Sequence, residues 1–169
     1  MKTLLSEQEL SAGVSRMAAE VNAHYGFQPL TIIGVLTGSI VLVADLIRQL
    51  KMPLRVGVVQ ARSYRGASTT PGELTIKADM LPDLKGRHVL VVDDIFDTGK
   101  TLFGLLNELR QLQPADLRTA VLLRKEGRQE VAMLPDHIGF VIPDKFVVGY
   151  GLDHNDEYRN LPYLAAVEP

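Results

Sequence analysis

Leu10, Val14, Met17 and Val21 recur every three or four residues, the spacing of one helical face. Ser6-Glu7-Gln8-Glu9 ahead of them has the form of a capping box. The pattern predicts a packing helix ending near Tyr25-Gly26, with His24 near its end as a structural or solvated residue. Leu30 to Leu36 is continuously apolar, as in a strand buried on both faces. Thr37-Gly38-Ser39 interrupts the run, and helical spacing resumes from Ile40 to Leu50. Pro53 turns the chain into a strand over Leu54 to Ala61. Val89 to Val92 is another short apolar run, leading directly into Asp93-Asp94. Beyond Asp97-Thr98-Gly99-Lys100-Thr101, Leu102, Leu105, Leu106 and Leu109 mark a helix over about 100–112, closed by Gln113-Pro114. Further strands are predicted at Leu117 to Leu123 and Ile138 to Ile142, with a loop or short helical turn over 126–137 between them. Strands alternating with helices predict an α/β fold, a mainly parallel twisted sheet flanked by helices.

One stretch departs from this alternation. Arg62 to Lys77 is polar, rich in small residues and centred on Pro71-Gly72, with short β-like flanks. It reads either as the tip of an exposed hairpin or as a flexible lid, and Tyr64 with its neighbouring arginines would suit closure over an anion.

Composition narrows the function more by exclusion than by indication. The 169 residues fit a single domain, 46% hydrophobic and 22% charged. A net charge of −2 gives no general attraction to nucleic acid or acidic membranes, so an anionic ligand would need local basic groups. The absence of cysteine removes disulfides, thiolate zinc sites and a thiol nucleophile, and it fits a reducing cytosol. Ser6, Glu7 and Glu9 leave no apolar core for a signal peptide, and no run of about 18 apolar residues is present to span a bilayer.

The chemistry concentrates at two strand–loop–helix junctions. In an open α/β sheet such junctions lie at the carboxyl ends of strands, where ligands bind. Free backbone N–H groups at a helix start suit an anion. At the second junction Thr98 and Thr101 add hydroxyls and Lys100 adds positive charge. Gly99-Lys100-Thr101 has the ending of a Walker A loop, but Asp94 stands where that loop needs its first glycine. Acceptors at Asp93 and Asp94 suit sugar hydroxyls or magnesium, and donors over 97–101 suit a phosphate. A ribose 5-phosphate meets both requirements. The competing reading is a helix start dressed with acids for dipole reasons, worth about 0.3–1 kcal/mol each. At the first junction, Thr37-Gly38-Ser39 is either a second phosphate loop or a plain tight turn.

The C-terminal segment Lys145-Phe146-Val147-Val148-Gly149-Tyr150-Gly151-Leu152-Asp153 places an aromatic beside β-branched residues and glycines. Phe146 is either the stacking face for a flat heterocycle, with the Val147 backbone at its edge, or ordinary core. Lys125, ending the preceding long strand, could donate to an exocyclic oxygen. Asp153 and Arg159 are a candidate metal ligand and a candidate pyrophosphate clamp, or members of a solvated charged loop.

Val89 to Leu102 closely resembles the phosphoribosyl-diphosphate (PRPP) motif of type I phosphoribosyltransferases. Lys145 to Asp153, followed by Glu157-Tyr158-Arg159-Asn160-Leu161-Pro162-Tyr163, resembles the purine-recognition segment of hypoxanthine-guanine phosphoribosyltransferases. The likeness runs from about Ile33 to Tyr163 with its four local signals in the family's order. It implies that fold over a single domain, 1–169, with a flexible β-hairpin lid at about 62–78. A small hood would form from about 143–169 and the N-terminal segment. It implies Mg-dependent transfer of the phosphoribosyl group from PRPP to N9 of hypoxanthine or guanine, giving IMP or GMP and pyrophosphate in purine salvage.

The resemblance also carries roles. Thr37, Gly38, Ser39 and Arg159 would hold pyrophosphate, with the Leu36–Thr37 peptide bond cis. Ser63 and Tyr64 would sit on the lid. Asp93 and Asp94 would meet the ribose hydroxyls and, with Asp153, magnesium. Asp97 would be the general base at N7, while Thr98, Gly99, Lys100 and Thr101 cradle the 5-phosphate. Lys125, Phe146, Val147 and Asp153 would contact the purine. A homodimer or homotetramer in the cytoplasm is implied, with the apolar helix at 40–50 as a shared face and no nucleic-acid or membrane partner. Three positions depart from the family pattern. Thr37 replaces a frequent lysine or arginine, Asp93 is one methylene shorter than the common glutamate, and His154 replaces a frequent tyrosine. The nearest alternative is a xanthine-guanine enzyme, because Lys125 reads an O6 that all three bases share. An alternative of another class is a non-catalytic PRPP-sensing regulator, which would need a nucleic-acid-binding element that the sequence does not display.

Overall fold

In the computed structural model, residues 1–63 and 74–168 are described. Ser6 accepts from the Glu9 backbone N–H at 3.1 Å, and the Glu9 carboxylate accepts from the Ser6 N–H at 2.8 Å. That reciprocal cap starts α1, Glu7–Tyr25, whose buried face is Leu10, Val14, Met17, Ala18 and Val21. The predicted helix and its stop at Gly26 both hold.

A six-stranded sheet forms the body, in the order β4-β3-β2-β5-β6-β7. Its members are β2 (Leu30–Leu36), β3 (Leu54–Ser63), β4 (Leu74–Lys77), β5 (His88–Phe96), β6 (Asp116–Lys125) and β7 (His137–Ile142). All neighbours pair in parallel except β3 and β4, which are antiparallel. Alternate residues of the central strands serve opposite faces. Ile32, Leu90, Val92 and Leu122 join α1 and α2 (Ile40–Ile47) in one core, whereas Ile33, Val89, Val91 and Val121 join α3 (Lys100–Arg110) in the other. Each such fully buried aliphatic side chain contributes about 1.5–3 kcal/mol.

Several boundaries differ from the sequence reading. β5 does not stop at Val92 but carries Asp93 and Asp94 within the strand, because β6 runs alongside as far as Lys125 and offers partners up to Phe96. The two acids therefore stand on a rigid ladder instead of a loop. Helix α2 ends at Ile47 and α3 at Arg110, both short of expectation. Segment 126–136 contains no helix or strand.

A second sheet was not anticipated strand by strand. β1 (Lys2–Leu5) pairs antiparallel with β9 (Leu164–Ala166), which in turn pairs antiparallel with the two-residue β8, Val147–Val148. Both outer strands lack the apolar length that would announce them. The pairing of Ser63 with Leu74 closes the described part of the β3–β4 hairpin. Tyr64, expected on the lid, lies outside the described residues, and of Ser63 the backbone pairing alone is described. Among the described residues no helix is long and apolar enough to cross a membrane.

Candidate active site

The chain leaves β2 toward β3 on one side, and β5 begins the other side, so the strand order reverses between β2 and β5. Ligands of open α/β sheets bind outside the carboxyl ends of strands at such a switch point. Here the two predicted junctions meet around a cavity of about 330 Å³. The first junction contributes Thr37 and Gly38, and the second contributes Asp93, Asp94, Asp97, Thr98, Gly99 and Thr101. Asp153 and Arg159 reach it from the C-terminal segment. The Leu36–Thr37 peptide bond is cis.

The acidic pair is held by its own backbone. Asp93 Oδ1 accepts from the Asp94 N–H at 2.8 Å, and Asp94 Oδ1 accepts from the Ile95 N–H at 2.7 Å. Burial raises Asp93 well above the usual carboxylate range, and the adjacent Asp94 charge adds to it. Asp94 is also raised by burial, against local hydrogen bonds and the Arg159 charge, which lower it. Sugar hydroxyls or a cation arriving here would relieve the crowding of two carboxylates. Among the described residues no three acidic, histidine or cysteine side chains cluster closely enough to hold a metal unaided. Asp93, Asp94 and Asp153 nevertheless present oxygen ligands to one cavity, which suits a hard divalent ion that keeps water and substrate phosphate in its shell.

The helix start is shaped for close approach of an anion. Gly99 caps α3 with φ +85°, and a β-carbon there would stand 2.5 Å from both the Phe96 ring and Val131. Only glycine combines that conformation with that packing. Thr98 Oγ1 accepts from the Lys100 N–H at 3.3 Å. Lys100 opens α3 with its side chain turned from the cavity. Its side chain is 69% exposed, and its ammonium lies 2.6 Å from Glu130, outside the cavity lining. The helix start offers backbone donors and threonine hydroxyls to the cavity, while the Lys100 ammonium lies against Glu130. Ser39 also differs from expectation. It is fully buried outside this cavity, and its N–H already donates to the Val35 carbonyl at 3.3 Å. Ser39 closes the turn that presents Thr37 and Gly38.

A second, smaller cavity of about 200 Å³ adjoins the first and shares Asp94, Ile95, Asp97 and Asp153 with it. Lys125, Phe146, Val147 and Leu152 complete its lining. Phe146 is 51% exposed, which removes the ordinary-core reading, and its ring meets His154 edge-on at 5.3 Å. Val147 is instead buried in β8. The Lys125 side chain is only 12% exposed, with its ammonium 3.4 Å from Asp97 Oδ2 and 3.6 Å from Asp144. Arg159 donates to the Gly151 carbonyl at 2.8 Å and lies 3.2 Å from Asp153, so the two C-terminal charges are held together.

Asp97 has a partner that motif reasoning missed. Arg128 Nε donates to Asp97 Oδ1 at 2.9 Å. Desolvation pushes the Asp97 carboxyl upward, but the Arg128 hydrogen bond and then the Lys125 charge prevail, holding it below the ordinary range. The segment is also tied to the helix start by the Glu130 N–H, which donates to the Thr98 carbonyl at 2.9 Å. Arg128 and Glu130 lie in a stretch without periodicity, and three- and five-residue offsets from Lys125 carry no motif.

Residues 1–155 match the family model of the phosphoribosyl transferase domain. The hypoxanthine-guanine phosphoribosyltransferase of Streptococcus pneumoniae is 36% identical over 167 residues, covering 99% of this chain and 93% of that protein. The hypoxanthine phosphoribosyltransferase of Haemophilus influenzae is 38% identical over 167 residues, covering 97% of this chain and 93% of that one. Among solved structures, a hypoxanthine-guanine phosphoribosyltransferase from Bacillus anthracis superimposes with a TM-score of 0.94 at 36% identity, covering 99% of each chain.

Proposed function

Because this chain belongs to the phosphoribosyltransferase family, in its hypoxanthine-guanine branch, we propose that its two adjoining cavities divide one reaction between them. The enzyme transfers the phosphoribosyl group of PRPP to a purine base in purine salvage. The larger cavity takes the ribose, its 5-phosphate and the pyrophosphate, and the smaller takes the base. The observation that carries this division is the shared wall: Asp94, Asp97 and Asp153 line both spaces. A sugar carbon in one and a base nitrogen in the other therefore meet across it.

In the forward direction N9 of the base forms a bond to the anomeric carbon as that carbon's bond to pyrophosphate breaks. The sugar passes through an oxocarbenium-like state. Asp93 and Asp94 hold the ribose hydroxyls, and the threonines and backbone donors at the start of α3 hold the 5-phosphate. Asp97 receives the N7 proton, a type of assistance worth about 10²–10⁴-fold. Arg159 and the donors at Thr37 and Gly38 receive the departing pyrophosphate. Lys125 reads O6, Phe146 stacks on the base, and the Val147 backbone meets its edge. Asp93, Asp94 and Asp153 would hold magnesium, which supplies charge neutralisation for the diphosphate when bound. The apolar face of α2, with Ile40 half exposed, suits association into a homodimer or homotetramer. A cysteine-free chain acting on these metabolites fits the cytoplasm.

The test is a steady-state assay with PRPP and magnesium, using hypoxanthine, guanine, xanthine and adenine in separate reactions. Hypoxanthine and guanine should be converted, xanthine poorly and adenine not at all. Xanthine turnover matching guanine would move the assignment to a xanthine-guanine enzyme. No turnover of any base would overturn the catalytic reading in favour of a PRPP-binding regulator.

A further inference from the structure

Four charged side chains alternate in sign around one edge of the base cavity. Asp97 Oδ1 meets Arg128 Nε at 2.9 Å, and Asp97 Oδ2 meets Lys125 Nζ at 3.4 Å. Asp144 closes the ring, 3.6 Å from Lys125 and 3.9 Å from Arg128. Lys125 lines the base cavity, whereas Arg128 does not. The guanidinium stands behind the carboxylate and touches the base site only through it.

We propose that Arg128 is the positioning residue for the reaction's proton acceptor: it fixes the Asp97 carboxylate by one oxygen and keeps it ionised in front of the base. The inference rests on the assignment of Asp97 as the group that receives the N7 proton. Each carboxylate oxygen has two lone-pair directions, so bonds to Arg128 and Lys125 leave acceptor capacity for an N–H of the base. The arginine bond fixes orientation, and misplacement of a reacting group by about 1 Å can cost on the order of 10²-fold. It also sets ionisation. The charged groups around Asp97 are Arg128 and Lys125 directly, with Asp144 behind both cations, Glu130 and Lys100 beside the helix start, and Asp94 and Asp153 across the shared wall. The two cations dominate, consistent with the lowered carboxyl. When Asp97 takes the proton its hold on Arg128 weakens, and Asp144 remains to receive the guanidinium.

The experiment is the pH profile of kcat/KM for hypoxanthine at saturating PRPP, in the parent, Arg128→Gln, Arg128→Lys and Asp97→Asn. Thermal melting of each variant accompanies it. Arg128→Gln should lose roughly tenfold or more in kcat/KM at neutral pH. Its acidic limb should move to higher pH while KM for PRPP stays near that of the parent. Arg128→Lys should restore much of the rate and return the limb toward the parental position. A profile for Arg128→Gln that superimposes on the parent's, with Asp97→Asn impaired, would overturn the role of Arg128 alone. Full activity in Asp97→Asn would instead remove the proton-acceptor reading and this inference with it. Should Arg128→Gln melt too low to assay, the inference fails if Arg128→Lys, folded, shows a limb unrelated to the parent's and no recovered rate.

Discussion

Gly38 packs so tightly against Asp94 that a β-carbon on it would lie 1.7 Å from the Asp94 carboxylate oxygen. The turn that follows β2 thus rests against the Asp94 carboxylate of β5 with no side chain of its own between them. The turn proposed for pyrophosphate leans directly on the acid proposed for the ribose.

Gly38→Ala should therefore push Asp94 out of place. Overpacking of this kind commonly costs about 1–3 kcal/mol where it cannot relax. The expected result is a rise of tenfold or more in KM for PRPP, on the order of 1.4 kcal/mol or above. KM for the base should move less. Initial rates over a PRPP series measure both.

Asp97→Asn keeps the shape of the acceptor while removing its basicity. It should lower kcat by about 10²–10⁴-fold, with PRPP binding close to the parent's. Titration calorimetry with PRPP, alongside single-turnover rates, separates the two effects.

Phe146 is half exposed, so truncating it removes little buried surface. Phe146→Ala should change stability by no more than about 0.5 kcal/mol. It should raise KM for hypoxanthine and guanine severalfold, because the ring's area is used only when the base is present. Thermal melting and base titrations at fixed PRPP make the comparison.

The same Asp97 contacts predict a pH dependence of stability. Its folded-state carboxyl titrates below the ordinary aspartate value, held there by Arg128 and Lys125 against desolvation. Such a group stabilises the fold above its unfolded pKa, about 3.9, and loses that contribution as pH falls through the lower folded value. The parent should melt above Asp97→Asn at neutral pH, and the gap should close in acid. Differential scanning calorimetry between pH 7 and pH 3 follows it.

The parts legible in the sequence were those that local pattern controls. Four β-branched or aliphatic residues before Asp93, a glycine where α3 needs positive φ, and leucines at helical spacing sufficed for the central junction. Ser6 and Glu9 announced α1 for the same reason. Strands held by distant partners were not legible: Lys2–Leu5 and Leu164–Ala166 are short, and neither alternates clearly. Asp93 and Asp94 looked like loop residues because polarity hid the ladder that β6 supplies. In the site, residues that touch through the motif were found, and those that touch around it were not. Arg128 and Glu130 act from an aperiodic segment whose proximity to Asp97 and Lys100 exists only after folding. Lys100 shows the same limit from the other side: adjacency in sequence set its charge beside the helix start, and only the fold brings it against Glu130.

The small sheet ties the fate of the base cavity to the earliest residues of the chain. β8 is two residues long and is held by β9, whose other edge is zipped to β1. The strand at the edge of the cavity proposed for the base is therefore secured by contacts nearly the whole sequence apart, and closing so long a loop is an entropic cost that the pairing of Lys2–Leu5 with Leu164–Ala166 must offset.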